Sequence, residues 1–106
     1  MKEKELQEVT RLALVQLKMF GKVAEFFHPF NSFRSQPGYP DWTICFSQKD
    51  QYGKWMSEVI WIELKSEKGK LSEYQKRWQR AIGERYHVAR SLEEFFNVLE
   101  RYGILK

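Results

Sequence analysis

The sequence predicts an α/β sandwich, a mixed central sheet flanked by helices in the order αβββαβα. Three observations carry this. Helical apolar spacing occupies both ends of the chain and one internal segment. Four short runs rich in β-branched and aromatic residues lie between them, bounded by turn formers. The first three runs follow one another without a helix, as an antiparallel meander would, and the fourth lies beyond a helix. No repeat, low-complexity segment or linker interrupts the 106 residues, so one domain over 1–106 is expected.

Each element has its own signal. From Glu3 to Met19 the apolar residues Leu6, Val9, Ala13, Leu17 and Phe20 recur at helical spacing, and Gly21 stops the run. Lys22 to Phe30 has β character through Val23, Phe26 and Phe27, and breaks up at Pro29. The stretch 31–40, NSFRSQPGYP, is rich in turn formers and predicts a loop. Asp41 to Phe46 predicts a second strand, with Trp42, Ile44 and Phe46 on one face and Asp41, Thr43 and Cys45 on the other. Asp50 and Gly53 mark a reversal, and Lys54 to Lys65 predicts the third strand. After the charged loop 66–70, Ser72 and Gln75 form a capping-box pattern opening a helix with Trp78 and Ile82 as its buried stripe and Gly83 as its stop. Tyr86 to Ala89 predicts the fourth strand. Ser91 with Glu94 predicts a second capping box, and Leu92, Phe95, Phe96, Leu99 and Tyr102 the stripe of the last helix.

Composition narrows the function classes. With 42% hydrophobic and 16% aromatic residues, the chain can bury a core, which excludes a disordered segment. Eighteen Lys and Arg against fourteen Asp and Glu give +4, a basic excess compatible with a polyanionic partner. The single cysteine, Cys45, excludes an intrachain disulfide, fits a reducing compartment and is expected as a small core residue. No signal-peptide core and no span-length apolar stretch is present, so a soluble intracellular protein away from membranes is expected.

The third strand ends in IWIELK, residues 60–65. Ile60, Ile62 and Leu64 share one face; Trp61, Glu63 and Lys65 share the other. Val59 to Ile62 is apolar on both faces, as in a strand covered on both sides, and charge then appears where that cover is expected to end. The short reversal before this strand sets an antiparallel register that places Asp41 opposite position 61 or 63. Asp41 and Glu63 are then direct or diagonal neighbours, diagonal partners lying about 7–8 Å apart. Two carboxylates converging on one ion, with Lys65 beside them, suit phosphodiester hydrolysis with Mg²⁺ or Mn²⁺. A solvated ion pair at a strand end is the other reading of Glu63 and Lys65.

The motif Pro40-Asp41 followed by Glu63-Leu64-Lys65 resembles the signature of the PD-(D/E)XK nuclease superfamily. Together with Gly38-Tyr39 before it, Gly69-Lys70-Leu71-Ser72 after it, and Gln75 with Trp78, the pattern is similar to the virus-type replication-repair nuclease (VRR-NUC) domain. The similarity runs from the first helix through Val88-Ala89-Arg90 and the final helix. It implies a restriction-endonuclease-like core, with Asp41, Glu63 and the main-chain carbonyl of Leu64 as ligands of Mg²⁺ or Mn²⁺ and Lys65 as the catalytic lysine. Gln75 would support the lysine or the substrate phosphate, or serve only as the capping partner of Ser72. A first-helix acid completes the family's set. Glu3 is the better match and Glu5 the second, and acids favoured by the helix dipole account equally for both.

Four loop positions, His28, Ser32, Arg34 and Ser35, also resemble positions in some members, with Arg34 as a phosphate contact. Lys68 and Lys70 would track a DNA backbone or be simply solvated. The resemblance implies a metal-dependent DNA nuclease, an endonuclease selective for structure such as flap or branched DNA, acting in phage or bacterial replication, recombination or repair. By analogy with small junction-resolving folds it would be a homodimer, located in the cytoplasm, the bacterial host's if phage-encoded. The competing reading is a nucleic-acid-binding or assembly module that keeps the nuclease fold without catalysis; salt-dependent DNA binding indifferent to divalent metal would mark it. A third is a protein-interaction domain using Tyr39, Trp42 or Trp55.

Overall fold

The computed structural model of the chain describes residues 1–29 and 36–105. The elements are α1 (Glu3–Met19), β1 (Glu25–Phe27), β2 (Trp42–Lys49), β3 (Trp55–Leu64), α2 (Glu73–Ile82), β4 (Tyr86–Ala89) and α3 (Leu92–Arg101), with a 3₁₀ turn Gly83–Arg85 leading into β4. They form the expected α/β fold: four strands in the order β1-β2-β3-β4, the first three antiparallel and β4 parallel to β3. Placing β4 beside β3 in parallel requires the crossover that α2 supplies. No helix among the described residues is long and apolar enough to cross a membrane.

The core lies on one face of the sheet. Trp42, Ile44 and Phe46 of β2 and Ile60, Ile62 and Leu64 of β3 point into it, all at most 2% exposed. Helices α1 and α3 close it with Leu6, Leu14, Leu17, Phe95, Val98 and Leu99. The opposite face, carrying Thr43, Cys45, Val59 and Trp61, is half-buried. Cys45 is therefore not a core residue, because its β2 position alternates away from the covered side.

Several elements differ from expectation for local reasons. Strand β1 is only three residues long, since Pro29 has no N–H for a ladder and Val23 turns into the core. Strand β2 runs on to Lys49, because Asp50 closes the hairpin by accepting from the N–H groups of Tyr52 at 2.8 Å and Lys54 at 2.9 Å. The buried stripe of α1 is Leu6, Thr10, Leu14 and Leu17, rotated from the expected one, so Val9 and Ala13 are half-buried and Phe20 is exposed. Helix α2 buries no residue fully, and Trp78 and Ile82 stay half-buried against the thinner side of the sheet. The second capping box forms by half. Ser91 Oγ accepts from the Glu94 N–H, but the Glu94 carboxylate turns to the Arg90 N–H at 2.8 Å. Val98 joins the α3 stripe, while Leu92, Phe96 and Tyr102 pack at its edge.

Thr10 explains the rotation of α1. Its hydroxyl donates to the Leu6 carbonyl at 2.8 Å and accepts from the Trp42 indole N–H at 3.0 Å, in full burial. A buried indole N–H needs a partner, and only a helix turned to present Thr10 provides one. Thr10→Val would strand that N–H in the core and should cost about 1–3 kcal/mol. Urea unfolding measures it; a loss no greater in Thr10→Val than in Thr10→Ser, which keeps the hydroxyl, would contradict this role.

Candidate active site

The site assembles where β2 begins and β3 ends. Strand register pairs Trp42 with Ile62, so Asp41 falls directly opposite Glu63, the closer of the two expected alignments. The two residues clasp each other through the main chain. The Asp41 N–H donates to Glu63 Oε1 at 3.2 Å, and the Leu64 N–H donates to Asp41 Oδ2 at 2.7 Å. Glu63 is 2% exposed, so its carboxylate lies inside the sheet-helix interface rather than at an emergent strand end. The strand-end solvated pair does not describe it.

Gln75, third residue of α2, is the capping partner of Ser72 and also reaches the acid pair, where it meets Glu63 and not the lysine. Its Oε1 accepts from the Ser72 N–H at 2.8 Å while the Ser72 hydroxyl accepts from the Gln75 N–H at 3.1 Å, a complete capping box. Its Nε2 donates to Glu63 Oε2 at 2.7 Å. One amide thus starts the helix with its oxygen and holds the carboxylate with its nitrogen. The loop before β2 must come close for this. Gly38 sits at φ +79°, and a Cβ there would fall 2.5 Å from the Tyr74 carbonyl carbon and 2.7 Å from the Gln75 nitrogen. Only glycine fits both that conformation and that gap.

Burial raises both carboxyls. Loss of solvent, then the Asp41 charge, push Glu63 up to about 9, against a smaller lowering by Lys65. Asp41 is also raised, chiefly by burial and further by the Glu3 charge, against a lowering by the Leu64 N–H. Of the two first-turn acids, Glu3 is thus the one whose charge bears on Asp41. Lys65 is half-buried, and its N–H continues the β3–β4 ladder to the Ala89 carbonyl at 3.0 Å. His28 lies against Asp41 by its ring: Nδ1 donates to the Asp41 carbonyl at 2.7 Å and Nε2 accepts from Gln7 at 2.6 Å, the tautomer that satisfies both. Lys68 and Lys70 are exposed on the loop after Lys65. Ser32, Arg34 and Ser35 lie outside the described residues.

Three further residues shape the site. Arg90 donates through Nη1 to the carbonyls of Ser66, at 2.9 Å, and Gly69, pinning the loop that follows Lys65. Its place after the last strand gave no sign of this, since loop carbonyls carry no sequence signature. Tyr39 accepts from the Trp61 indole N–H at 3.0 Å, meets Thr43 Oγ1 at 3.1 Å and braces Trp78 edge to face. Tyr86 is buried beside the acids with no hydrogen-bond partner for its hydroxyl among the described residues, and burial followed by the Glu63 and Asp41 charges raises it strongly. Strand propensity explains a tyrosine in β4 and hides its neighbourhood.

Among the described residues no three His, Cys, Asp or Glu side chains group closely enough to hold a metal by themselves. What the fold does bring together is a buried acid, a half-buried one, a lysine and an amide. No curated protein and no solved structure matches the chain significantly. The VRR-NUC domain matches residues 4–93, a span that takes in Asp41, Glu63, Lys65 and Gln75. The chain belongs to the VRR-NUC domain family, a family of nucleases whose substrates are nucleic acids.

Proposed function

We propose that the chain is a metal-dependent DNA endonuclease, selective for flap or branched structures, in phage or bacterial replication, recombination or repair. One observation carries this reading: two carboxylates, buried Glu63 and half-buried Asp41, are clasped together at the end of the strand that Lys65 follows. A structural protein gains nothing from forcing two acids together where solvent cannot screen them. A divalent cation fits the pair. Their donors are hard oxygens, and both carboxyls are held above their ordinary range as acids awaiting a positive charge would be. Asp41, Glu63 and the Leu64 carbonyl would hold Mg²⁺ or Mn²⁺, with Glu3 as the further acid within electrostatic reach. Such an ion supplies charge neutralisation at phosphate and lowers the pKa of water.

The remaining work falls to the chain. Lys65 brings its ammonium to the Glu63 side, where it would orient the attacking water and offset charge building on the phosphate. Gln75 keeps Glu63 in one rotamer. Lys68 and Lys70, on the loop pinned by Arg90, together with His28, Arg34 and Ser35, would contact the DNA backbone. Homodimerisation and a cytoplasmic setting, the host's for a phage protein, complete the reading. With Mg²⁺ or Mn²⁺ the purified protein should cut flap, branched or supercoiled DNA, and EDTA should stop it; no cleavage across that panel overturns the proposal.

Two predictions separate the roles. Asp41→Asn should lower Mn²⁺ affinity and cleavage together. Lys65→Ala removes no ligand, so Mn²⁺ binding should hold or tighten while single-turnover cleavage falls roughly 100-fold or more. Calorimetric titration and cleavage on the same preparations give both numbers, and near-parental cutting by Lys65→Ala removes the lysine from the mechanism.

The second concerns pH without metal. A carboxyl raised on folding from 4.5 to about 9 binds its proton more tightly in the folded state. Its contribution is therefore fully present below the unfolded value and is lost as pH rises through the folded one. In EDTA, melting temperature should fall between about pH 5 and about pH 9. Glu63→Gln should flatten this fall, and added Mn²⁺ should reverse it most at high pH. A Glu63→Gln protein melting with the parent's pH dependence would show that Glu63 is not the titrating group.

A further inference from the structure

An open cleft of about 350 Å³ lies between α2 and the loop before β2, lined by Gln36, Pro37, Tyr74, Arg77, Trp78 and Ala81. We infer that this cleft takes an unpaired nucleobase of the strand being cut, an inference resting on the nuclease reading above. Its helical members, Tyr74, Arg77, Trp78 and Ala81, recur at the spacing of one α2 face. Gln75, between Tyr74 and Arg77 in sequence, bonds Glu63, so the helix that lines the cleft also holds one of the acids.

The two aromatic walls differ in freedom. Trp78 is fixed: its indole N–H donates to the Pro37 carbonyl at 3.1 Å, and Tyr39 meets its ring at 4.8 Å and 78°. Tyr39 is itself held by Trp61 and Thr43. Tyr74, in contrast, is 54% exposed on the first turn of α2. A rigid ring one helical turn from an exposed one suits stacking of a flat aromatic group. Arg77 is exposed, and among the described residues no carboxylate pairs with it, leaving its guanidinium for the phosphate attached to that base or for stacking.

Paired bases cannot enter, because their faces are already stacked in the duplex. With the Trp78 donor committed to Pro37, recognition rests on ring faces and so tolerates any base. The cleft therefore selects for an unpaired nucleotide beside the cut. This is a physical basis for preferring flaps or branches over continuous duplex.

The test uses DNA flap and continuous-duplex oligonucleotides carrying 2-aminopurine next to the junction, titrated without divalent metal, with RNA flaps of the same sequence as a second arm. In the parent protein, 2-aminopurine fluorescence should change on flap binding. Tyr74→Ala should abolish the change and reduce the flap-over-duplex affinity ratio about ten-fold, the scale of one lost stacking contact. Tyr74→Phe should restore both, and Arg77→Ala should lower flap affinity more than duplex affinity. Both positions are exposed, so folding is preserved. No fluorescence change in the parent, or an equal loss on flap and duplex, overturns the cleft even if the protein proves to be a nuclease. A Tyr74-dependent change in a protein that cuts no DNA with Mn²⁺ upholds the cleft and overturns the nuclease reading; the RNA arm reports which sugar the site accepts.

Discussion

The clasp between Asp41 and Glu63 is the constraint around which the rest is arranged. A carboxylate at 2% exposure is unfavourable unless every oxygen finds a partner. Glu63 receives one from the Asp41 main chain and another from the Gln75 amide, and Asp41 receives one from the Leu64 main chain. These bonds tie the start of β2, the end of β3 and the start of α2 into one cluster. They answer the hydrogen bonding of the acids but not their charge, and so both carboxyls remain raised. That uncompensated charge is what a cation would offset in the proposed function.

Much of the surrounding architecture serves that cluster. Gly38 permits the loop before β2 to touch the first turn of α2, which carries the Gln75 amide that holds Glu63. Tyr39, next in sequence, joins β2, β3 and α2 through Thr43, Trp61 and Trp78. On the far side, His28 and Gln7 fasten β1 and α1 to the Asp41 carbonyl. Arg90 fixes the loop after Lys65 from the end of β4. The sheet's other face, with its apolar core, carries the stability that lets this face hold unfavourable charge.

The fold and the acid pair were legible because they depend on short-range rules. Alternation placed Trp42, Ile44 and Phe46 on the covered face, and a tight hairpin left only two alignments of Asp41 with the third strand. Gln75 illustrates the limit of such rules. Local spacing identified its cap, but that the same amide also holds Glu63 is a three-dimensional fact. Thr10 shows the reverse error, where a polar residue was passed over as a stripe member because its partner, the Trp42 indole, is 32 residues away. Arg90 and Tyr86 escaped for a similar reason, since main-chain carbonyls and buried acids leave no local trace.

Asp41 and Glu63 are proposed as the seat of a divalent cation, and anomalous diffraction from crystals grown with Mn²⁺ decides it. A single strong peak beside the two carboxylates is expected, with the Gln75 amide still on Glu63 and no peak at that position in Glu63→Gln crystals. Density for Mn²⁺ only elsewhere on the chain, with the Asp41 and Glu63 clasp unchanged, would contradict it.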